Sequence, residues 1–303
     1  MKIAVCFPGQ ALFPLSDTLE RLREERFAKP IVQEGLRYID AIDEAASSRT
    51  LQLLRTFIAS VASYQIVSEI GLPVSVLAEH GMGFYASLVA AGAMSFSEGL
   101  EIIEMTGGLL DEVAQKGDYD MASIIGLTRD EINALCSVVA ESGEVYLANI
   151  NGPMWFVLSG QSSAMAAACD GAIWRGAIEA RLLGSGAPIH TNLLERCSRR
   201  IRKQLATVTF QPPTTPIIEH ISGQRVLARN ILDLLSQQMF MPVKWTRVME
   251  VLSRTGIDTF IELAPGREMA KLVEANREGA TIISLGEPDN LDETIQRLSE
   301  ANL

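Results

Sequence analysis

A short Gly-x-Gly segment follows a predicted strand and precedes a predicted helix. The strand covers residues 74–78, the turn contains Gly81, Met82 and Gly83, and the helix is expected over 84–91. This layout is typical of a nucleophile elbow, where a Ser or Cys sits on a strained turn. The next backbone N–H and the helix N-terminus stabilise an oxyanion there. The nucleophile position is occupied by Gly81, which has no side chain that could attack a substrate.

The elements around this turn alternate between strand and helix. Residues 2–7 form a predicted buried strand, and residues 51–70 form a predicted helix that Gly71 should cap. Two more strands are predicted at 259–263 and 281–285. Further helices are predicted at 16–26, 95–113, 193–207, 230–238 and 243–253. Such alternation is typical of a parallel sheet with crossover helices.

The pattern changes near residue 118. Four short strands are predicted at 122–127, 145–148, 155–159 and 180–183, with helices at 129–141 and 162–175 between them. The order β-α-β-β-α-β is that of a ferredoxin-like unit. We therefore predict an α/β fold in which an α/β-hydrolase-like parallel-sheet body (residues 1–117 and 189–303) carries an inserted ferredoxin-like small subdomain (residues 118–188).

Composition and charge exclude several classes of function. The chain has 303 residues with 26 basic and 37 acidic side chains and a net charge of -11, whereas nucleic-acid binding needs a basic surface that replaces counterions. The apolar runs are far shorter than the roughly 20 residues of a membrane span. The N-terminal residues lack a signal-peptide pattern, so we expect a cytoplasmic protein without membrane association. The four cysteines form no CxxC pair, which argues against a zinc site and a disulfide framework.

Short motifs follow one another along nearly the whole chain. They are Phe7-Pro8-Gly9-Gln10; Ala59-Ser60-Val61-Ala62; His80, Gly83 and Tyr85; Leu88-Val89-Ala90-Ala91-Gly92; Ala122-Ser123-Ile124-Ile125-Gly126-Leu127; Ala148-Asn149-Ile150-Asn151-Gly152-Pro153; Pro188-Ile189-His190; Pro242-Val243-Lys244-Trp245; and Pro265-Gly266. Each motif alone is weakly specific. In their order and spacing they resemble the malonyl-CoA:acyl-carrier-protein transacylase family, and the chain is identified as a diverged member of it.

The resemblance implies a ping-pong acyl transfer. In the family a Ser attacks malonyl-CoA, a His acts as general base, and the phosphopantetheine thiol of acyl carrier protein takes the acyl group. By this resemblance His190 falls at the base position, while Gln10 and the N–H of Met82 fall at the oxyanion positions. The implied partners are acyl-CoA and acyl carrier protein. The resemblance further implies a monomer, with acyl-CoA or phosphopantetheine as ligand and no metal or covalently bound cofactor.

Several positions depart from the family's pattern. Gly81 replaces the nucleophilic Ser, and Thr106 replaces the Arg that binds the malonyl carboxylate. Glu79 replaces the Gly that opens the elbow motif, and Phe84 replaces a Glu. A neutral Thr cannot make the bidentate contact of an Arg. Because Thr106 and Phe84 both make the pocket less polar, we expect any bound acyl group to be uncharged.

Three functions are compatible with this pattern. The first is a protein that binds acyl-CoA or acyl carrier protein in fatty-acid or polyketide metabolism and forms no acyl-enzyme. The second is a non-covalent thioester hydrolase or transferase, in which His190 activates water or the incoming thiol. The third is an ordinary acyl-carrier-protein S-malonyltransferase whose nucleophile lies elsewhere. For each single residue the alternative is a structural role. In that case packing alone retains His190, Gln10 holds its loop in place, His80 supports its neighbours, and His220 lies at the surface.

Basic side chains are concentrated in one stretch of eight positions. This basic cluster consists of Arg196, Arg199, Arg200, Arg202 and Lys203. It is either a solvated helix face or a docking surface for an acidic partner, since local charge steers association even when the whole protein is acidic.

Overall fold

The computed structural model describes residues 2–10, 15–42, 46–286 and 291–301. Within them, nine strands form two sheets: β1 (Ile3–Phe7), β2 (Val74–Glu79), β3 (Tyr119–Ile125), β4 (Val145–Gly152), β5 (Trp155–Gln161), β6 (Glu179–Leu182), β7 (Ile217–Ile218), β8 (Thr259–Glu262) and β9 (Thr281–Ser284). The described α-helices are α1 (Ser16–Glu24), α2 (Lys29–Ile42), α3 (Ser48–Ile70), α4 (Gly83–Ala90), α5 (Phe96–Ala114), α6 (Arg129–Val139), α7 (Ser162–Trp174), α8 (Glu195–Gln204), α9 (Ile231–Gln237), α10 (Trp245–Arg254), α11 (Glu268–Glu274) and α12 (Leu291–Ala301).

The larger sheet forms the core of the body. Its five strands are parallel and lie in the order β7-β2-β1-β8-β9. All five residues of the central strand β1 are buried, as expected for a strand with both faces covered by helices. Helix α3 ends at Gly71, whose φ of 77° places it in the left-handed region used by C-capping glycines. The predicted parallel-sheet body is confirmed.

The smaller sheet is antiparallel. Its strands lie in the order β4-β5-β3-β6, and apolar residues of α6 and α7 pack against them in one cluster. The chain order β3-α6-β4-β5-α7-β6 is the predicted one. Strand β3 ends at Ile125, two residues before the predicted end, because Gly126 has a φ of 104° that breaks the extended backbone. The boundaries at residues 118 and 188 stay a prediction.

Three described helices, α2, α11 and α12, were not predicted from the sequence, and a fourth, α8, has a different start. Helix α2 was not predicted, because a Pro and a Gly weaken the helical signal of its sequence. The structure explains that glycine: a Cβ on Gly35 would lie 2.5 Å from the Ile58 side chain, so glycine allows α2 to pack closely on α3. Helix α8 begins at Glu195 rather than at 193, since Asn192–Leu194 forms a separate 3₁₀ turn.

None of the described helices combines the length and the apolar character that crossing a bilayer requires. In the same described ranges, no group of three or more His, Cys, Asp or Glu side chains is arranged to hold a metal ion.

Candidate active site

Gly81 lies on the tight turn between β2 and α4. Its φ is 52°, a left-handed conformation that glycine adopts without strain. The turn is held against β1 by a hydrogen bond of 3.1 Å from the His80 N–H to the Phe7 carbonyl. A Cβ on Gly83 would lie 2.3 Å from that carbonyl oxygen, so glycine there allows α4 to approach β1. The turn therefore has the close packing and the backbone conformation of a nucleophile elbow.

His190 faces Gly81 across the cleft. A Cβ added to Gly81 would lie 3.5 Å from His190 Nε2, an ordinary contact distance. His190 Nδ1 lies 2.9 Å from the Met241 carbonyl oxygen. Because a carbonyl can only accept, Nδ1 carries the proton and the Nε2 lone pair is left free.

The surroundings of His190 keep its imidazole neutral. Burial, together with the neighbouring His220 and His80, lowers the pKa of His190 to about 3. The backbone of His190 has a φ of 61°, which is uncommon for a residue with a Cβ. Its N–H donates to the Met239 carbonyl at 2.8 Å, which holds this conformation. His190 is thus a fixed, unprotonated base at neutral pH.

Two backbone N–H groups are available as oxyanion donors. Those of Gln10 and Met82 donate to no acceptor among the described residues, and both residues line the same cleft as His190. Met82 is also the N-cap residue of α4, where the helix dipole favours a developing negative charge. This arrangement can polarise the carbonyl of a thioester.

A cleft of about 320 Å³ separates the elbow from the small sheet. The elbow and His190 line one side, and Ser123, Asn149, Trp155 and Arg181 line the other. The volume is at the lower end of the roughly 300–1,000 Å³ typical of small-molecule sites. The cleft can therefore admit the thioester end of an extended ligand between the two sheets.

A smaller cavity of about 30 Å³ lies on the inner side of Gly81 and His190. Thr106 lines it together with Leu53 and Leu110, and no charged side chain does so within the described part of the chain. The Thr106 hydroxyl donates to the Ile102 carbonyl at 2.7 Å, one turn earlier in α5. The position of the expected carboxylate-binding Arg is therefore buried and neutral.

Two further polar groups line this inner cavity. Gln238 is 3% exposed, and neither its amide nitrogen nor its amide oxygen has a hydrogen-bond partner in the described ranges. The Tyr85 hydroxyl lies near the Thr106 hydroxyl, and burial raises the pKa of Tyr85 to about 12. Gln238 was not among the predicted site residues, and its position after the apolar Leu234 and Leu235 is the available sequence signal. These groups can bind an uncharged polar group, and none of them supplies a positive charge for a carboxylate.

The chain is similar over most of its length to known acyl transferases. Residues 26–292 match the acyl transferase domain family. The chain belongs to this family. It is 28% identical to the malonyl CoA-acyl carrier protein transacylase of Bacillus subtilis (strain 168), over 99% of this chain and 98% of the relative. It is 31% identical to the enzyme of that name from Salmonella typhimurium, over 76% of this chain and 75% of the relative.

Solved structures of acyl transferases have the same fold. The malonyl CoA-acyl carrier protein transacylase from Coxiella burnetii matches with a TM-score of 0.88 at 27% identity, over 99% of this chain and 98% of that one. A malonyl-transacylase in complex with its type II PKS acyl-carrier protein matches with a TM-score of 0.86 at 25% identity, over 98% of this chain and 100% of that one.

In this member of the acyl transferase domain family, His80 connects the elbow to the small sheet. Its Nε2–H donates to Asn151 Oδ1 of β4 at 3.0 Å. Burial lowers the pKa of His80 to about 4, which keeps the ring neutral at physiological pH. His80 lines the cleft, but this hydrogen bond engages its Nε2 in holding the two sheets together.

Phe84 lies in the core of the body. Its side chain is fully buried among apolar residues, and it is not among the described residues that line the cleft or the inner cavity. The expectation that Phe84 contacts substrate is therefore corrected: α4 turns this side chain away from the cleft and into the core.

The expectation that His220 lies at the surface is wrong. His220 is completely buried beside Glu79 at the end of β2. Glu79 accepts hydrogen bonds from the His220 backbone N–H at 2.8 Å and from His220 Nδ1–H at 2.6 Å. Burial raises the pKa of Glu79, and His220 opposes that rise. Glu79 occupies the position at which the family's elbow motif has a glycine. Because this glutamate is buried, it needs a buried hydrogen-bond partner, and His220 is that partner.

All members of the basic cluster are exposed on α8. Arg200 pairs with Glu112 at 3.0 Å between Nη2 and Oε1, and Arg202 pairs with Asp233. Arg199 lies 4.0 Å from Glu195. Arg196 and Lys203 have no ion-pair partner among the described residues. The cluster is thus partly neutralised by the protein itself, which leaves two cations for an external partner.

Proposed function

We propose that this acyl transferase family protein binds the thioester end of acyl-CoA or of acyl carrier protein without forming an acyl-enzyme at residue 81. The observation that carries the proposal is the position of His190 beside Gly81. His190 Nε2 lies 3.5 Å from where a Cβ of residue 81 would be, and glycine has no side-chain atom there that could attack a thioester. Since the cleft and the oxyanion donors remain, the site supports binding and polarisation of a thioester.

The bound acyl group is proposed to be short and uncharged. The inner cavity of about 30 Å³ corresponds to roughly one water molecule. Thr106 supplies no positive charge there, and a carboxylate buried without a partner loses several kcal/mol of hydration. Acetyl groups should therefore be preferred over malonyl groups.

The proposed partner is an acyl carrier protein of fatty-acid or polyketide metabolism. Arg196 and Lys203 are exposed and available for its acidic groups, and a similar transacylase has been solved with its carrier protein. We propose a cytoplasmic location for this binding, in keeping with four cysteines that form no disulfide bond, as is usual in a reducing compartment.

Intact-mass spectrometry after incubation with acetyl-, malonyl- and longer acyl-CoA tests this function. We expect no acyl adduct on the purified protein and saturable binding of acetyl-CoA. A stable adduct would overturn the proposal and point to a nucleophile elsewhere, as in an ordinary malonyltransferase.

The variants Gly81→Ser and Gly81→Ala form a matched pair for the same assay. Both add a Cβ at a φ of 52° and carry the same backbone strain of about 1–2 kcal/mol. We expect only Gly81→Ser to gain an acyl mass, more readily from acetyl-CoA than from malonyl-CoA. A folded Gly81→Ser variant without an adduct would mean that more than the nucleophile is missing.

A second function is favoured by the free Nε2 of His190. Water bound near Gly81 could give its proton to Nε2 as its oxygen adds to the thioester carbonyl carbon. The C–S bond would then break, and the proton would pass to the departing thiolate sulfur. Release of free CoA without an adduct, lost in His190→Ala, would identify this non-covalent hydrolysis.

A further inference from the structure

The side-chain amide of Gln238 is buried beside the inner cavity and is unpaired. The residue is 3% exposed, it lines this cavity, and neither its amide nitrogen nor its amide oxygen has a hydrogen-bond partner in the described ranges. A primary amide carries two donor hydrogens and two acceptor lone pairs. Because buried polar groups are nearly always paired, an amide left unpaired at a cavity indicates a partner that enters the cavity.

The inner cavity and the cleft meet at residue 81. The residues that line both spaces are Gln10, Gly81, Met82, Ile189 and His190. Gln238 and Thr106 line only the inner cavity, so they lie beyond this junction as seen from the cleft. A thioester whose carbonyl lies between the oxyanion donors at the junction therefore extends its acyl group towards Gln238.

The other hydroxyl groups of the inner cavity are occupied within the protein. The Thr106 hydroxyl donates to the Ile102 carbonyl at 2.7 Å, and the Tyr85 hydroxyl lies near the Thr106 hydroxyl. The remaining described side chains beyond the junction are apolar, namely those of Leu53, Leu110 and Met239. Past residue 81, the amide of Gln238 is therefore the group of the described lining that is available to a ligand.

The size and neutrality of the inner cavity limit which group can pair with this amide. Its volume of about 30 Å³ corresponds to roughly one water molecule, and a carboxamide is larger than that. No charged side chain lines it within the described part of the chain, so a carboxylate or an ammonium group would be buried without a counter-charge. A hydroxyl group has the size of water, is uncharged, and both donates and accepts hydrogen bonds.

We propose that Gln238 determines specificity for a short 2-hydroxyacyl thioester, of which hydroxyacetyl is the smallest, through a hydrogen bond between the 2-hydroxyl group and the Gln238 amide. Carbon 2 is the first atom beyond the carbonyl, so its hydroxyl is the substituent that reaches the cavity beyond residue 81. The inference rests on the proposed function, since it requires a thioester carbonyl beside residue 81, and it names the acyl group that the site prefers.

Calorimetric titration of the full chain with two matched ligands tests the proposal. Hydroxyacetyl-CoA and propionyl-CoA have the same number of non-hydrogen atoms and differ by a hydroxyl in place of a methyl group. Analogues in which a methylene group replaces the thioester sulfur keep the carbonyl and cannot release CoA, so that binding is measured without turnover. We expect the hydroxyacetyl ligand to bind about tenfold more tightly, the ratio that one net hydrogen bond supplies.

Gln238→Met and Gln237→Met form a matched pair of variants for this titration. Gln238→Met removes the amide, keeps the length of the side chain and breaks no side-chain hydrogen bond of the described residues, so we expect it to fold. Gln237 is not among the described residues that line either space. The preference for the hydroxyacetyl ligand should fall to about onefold in Gln238→Met and stay at its wild-type value in Gln237→Met.

The possible failures are distinguishable from one another. Equal binding of the two ligands by the wild type would overturn the inference and leave the proposed function standing. A preference that survives in Gln238→Met, or that Gln237→Met also abolishes, would overturn the role of the Gln238 amide. Failure of acetyl-, propionyl- and hydroxyacetyl-CoA alike to bind would overturn the proposed function and this inference with it.

Discussion

Replacing Glu79 by Ala should destabilise the protein strongly, although the residue lies outside the proposed chemistry. The Glu79 carboxylate is completely buried and accepts two hydrogen bonds from His220. Its removal leaves the His220 N–H and Nδ1–H without these acceptors in a place that water does not reach. Each unpaired buried donor costs about 1–3 kcal/mol, so we expect a loss of about 3–5 kcal/mol in the free energy of unfolding.

Two related variants separate pairing from packing. Glu79→Gln keeps the volume and can accept from the His220 N–H. Its amide can donate to His220 Nδ1 if the ring proton moves to Nε2, so a loss of about 1 kcal/mol is expected. His220→Ala leaves Glu79 able to take a proton, because burial already raises its pKa. The double variant should therefore lose less than the sum of the two Ala variants, by about 1–3 kcal/mol.

Urea denaturation followed by far-UV circular dichroism measures these free energies, provided that the m-value is unchanged. Additivity of Glu79→Ala and His220→Ala within about 0.5 kcal/mol would refute the coupling. A loss below about 1 kcal/mol for Glu79→Ala would refute the argument that the two donors are left unpaired.

Three other predictions concern pH and charge. Burial raises the pKa of Glu262 from 4.5 to about 7, so the folded state binds this proton more tightly than the unfolded chain. Stability should fall by about 3 kcal/mol as pH rises through this window, and Glu262→Gln should flatten the profile in urea titrations at several pH values. Because the pKa of His190 is lowered to about 3, the rate of acylation of the Gly81→Ser variant should stay nearly constant from about pH 7 to about pH 5. An ordinary imidazole would lose most of its base form over this range. Stopped-flow measurement of CoA release distinguishes the two cases. Joint reversal of Arg196 and Lys203 to Glu should weaken carrier-protein binding about tenfold at low salt and much less at high salt, measured by calorimetry.

Local patterns in the sequence were sufficient for the architecture. The apolar run of β1, the cap at Gly71 and the Gly-x-Gly turn are each decided by a few neighbouring residues, and each is found as predicted. Helix α2 was missed because packing on Ile58 compensates for the low helix propensity of Gly35. Propensity is local, but that compensation comes from a distant part of the chain.

The candidate site could be predicted only in part. The sequence indicates which residues occupy the elbow and the base position, and it reveals that Gly81 has no attacking group. It does not reveal the proton position on His190, because that depends on the Met241 carbonyl far along the chain. Gln238 was missed and His220 was assigned to the surface for the same reason: their burial depends on elements distant in sequence.

By itself, the sequence determined the alternation of strands and helices, the inserted antiparallel unit and the absence of a nucleophile at residue 81. These follow from residue types and short spacings, which act on the backbone locally. The tertiary structure decided the 3.5 Å approach of His190 to Gly81, the neutral inner cavity and the buried pair of Glu79 and His220. Burial and hydrogen-bond geometry are properties of the packed chain, and they require contacts between residues more than a hundred positions apart.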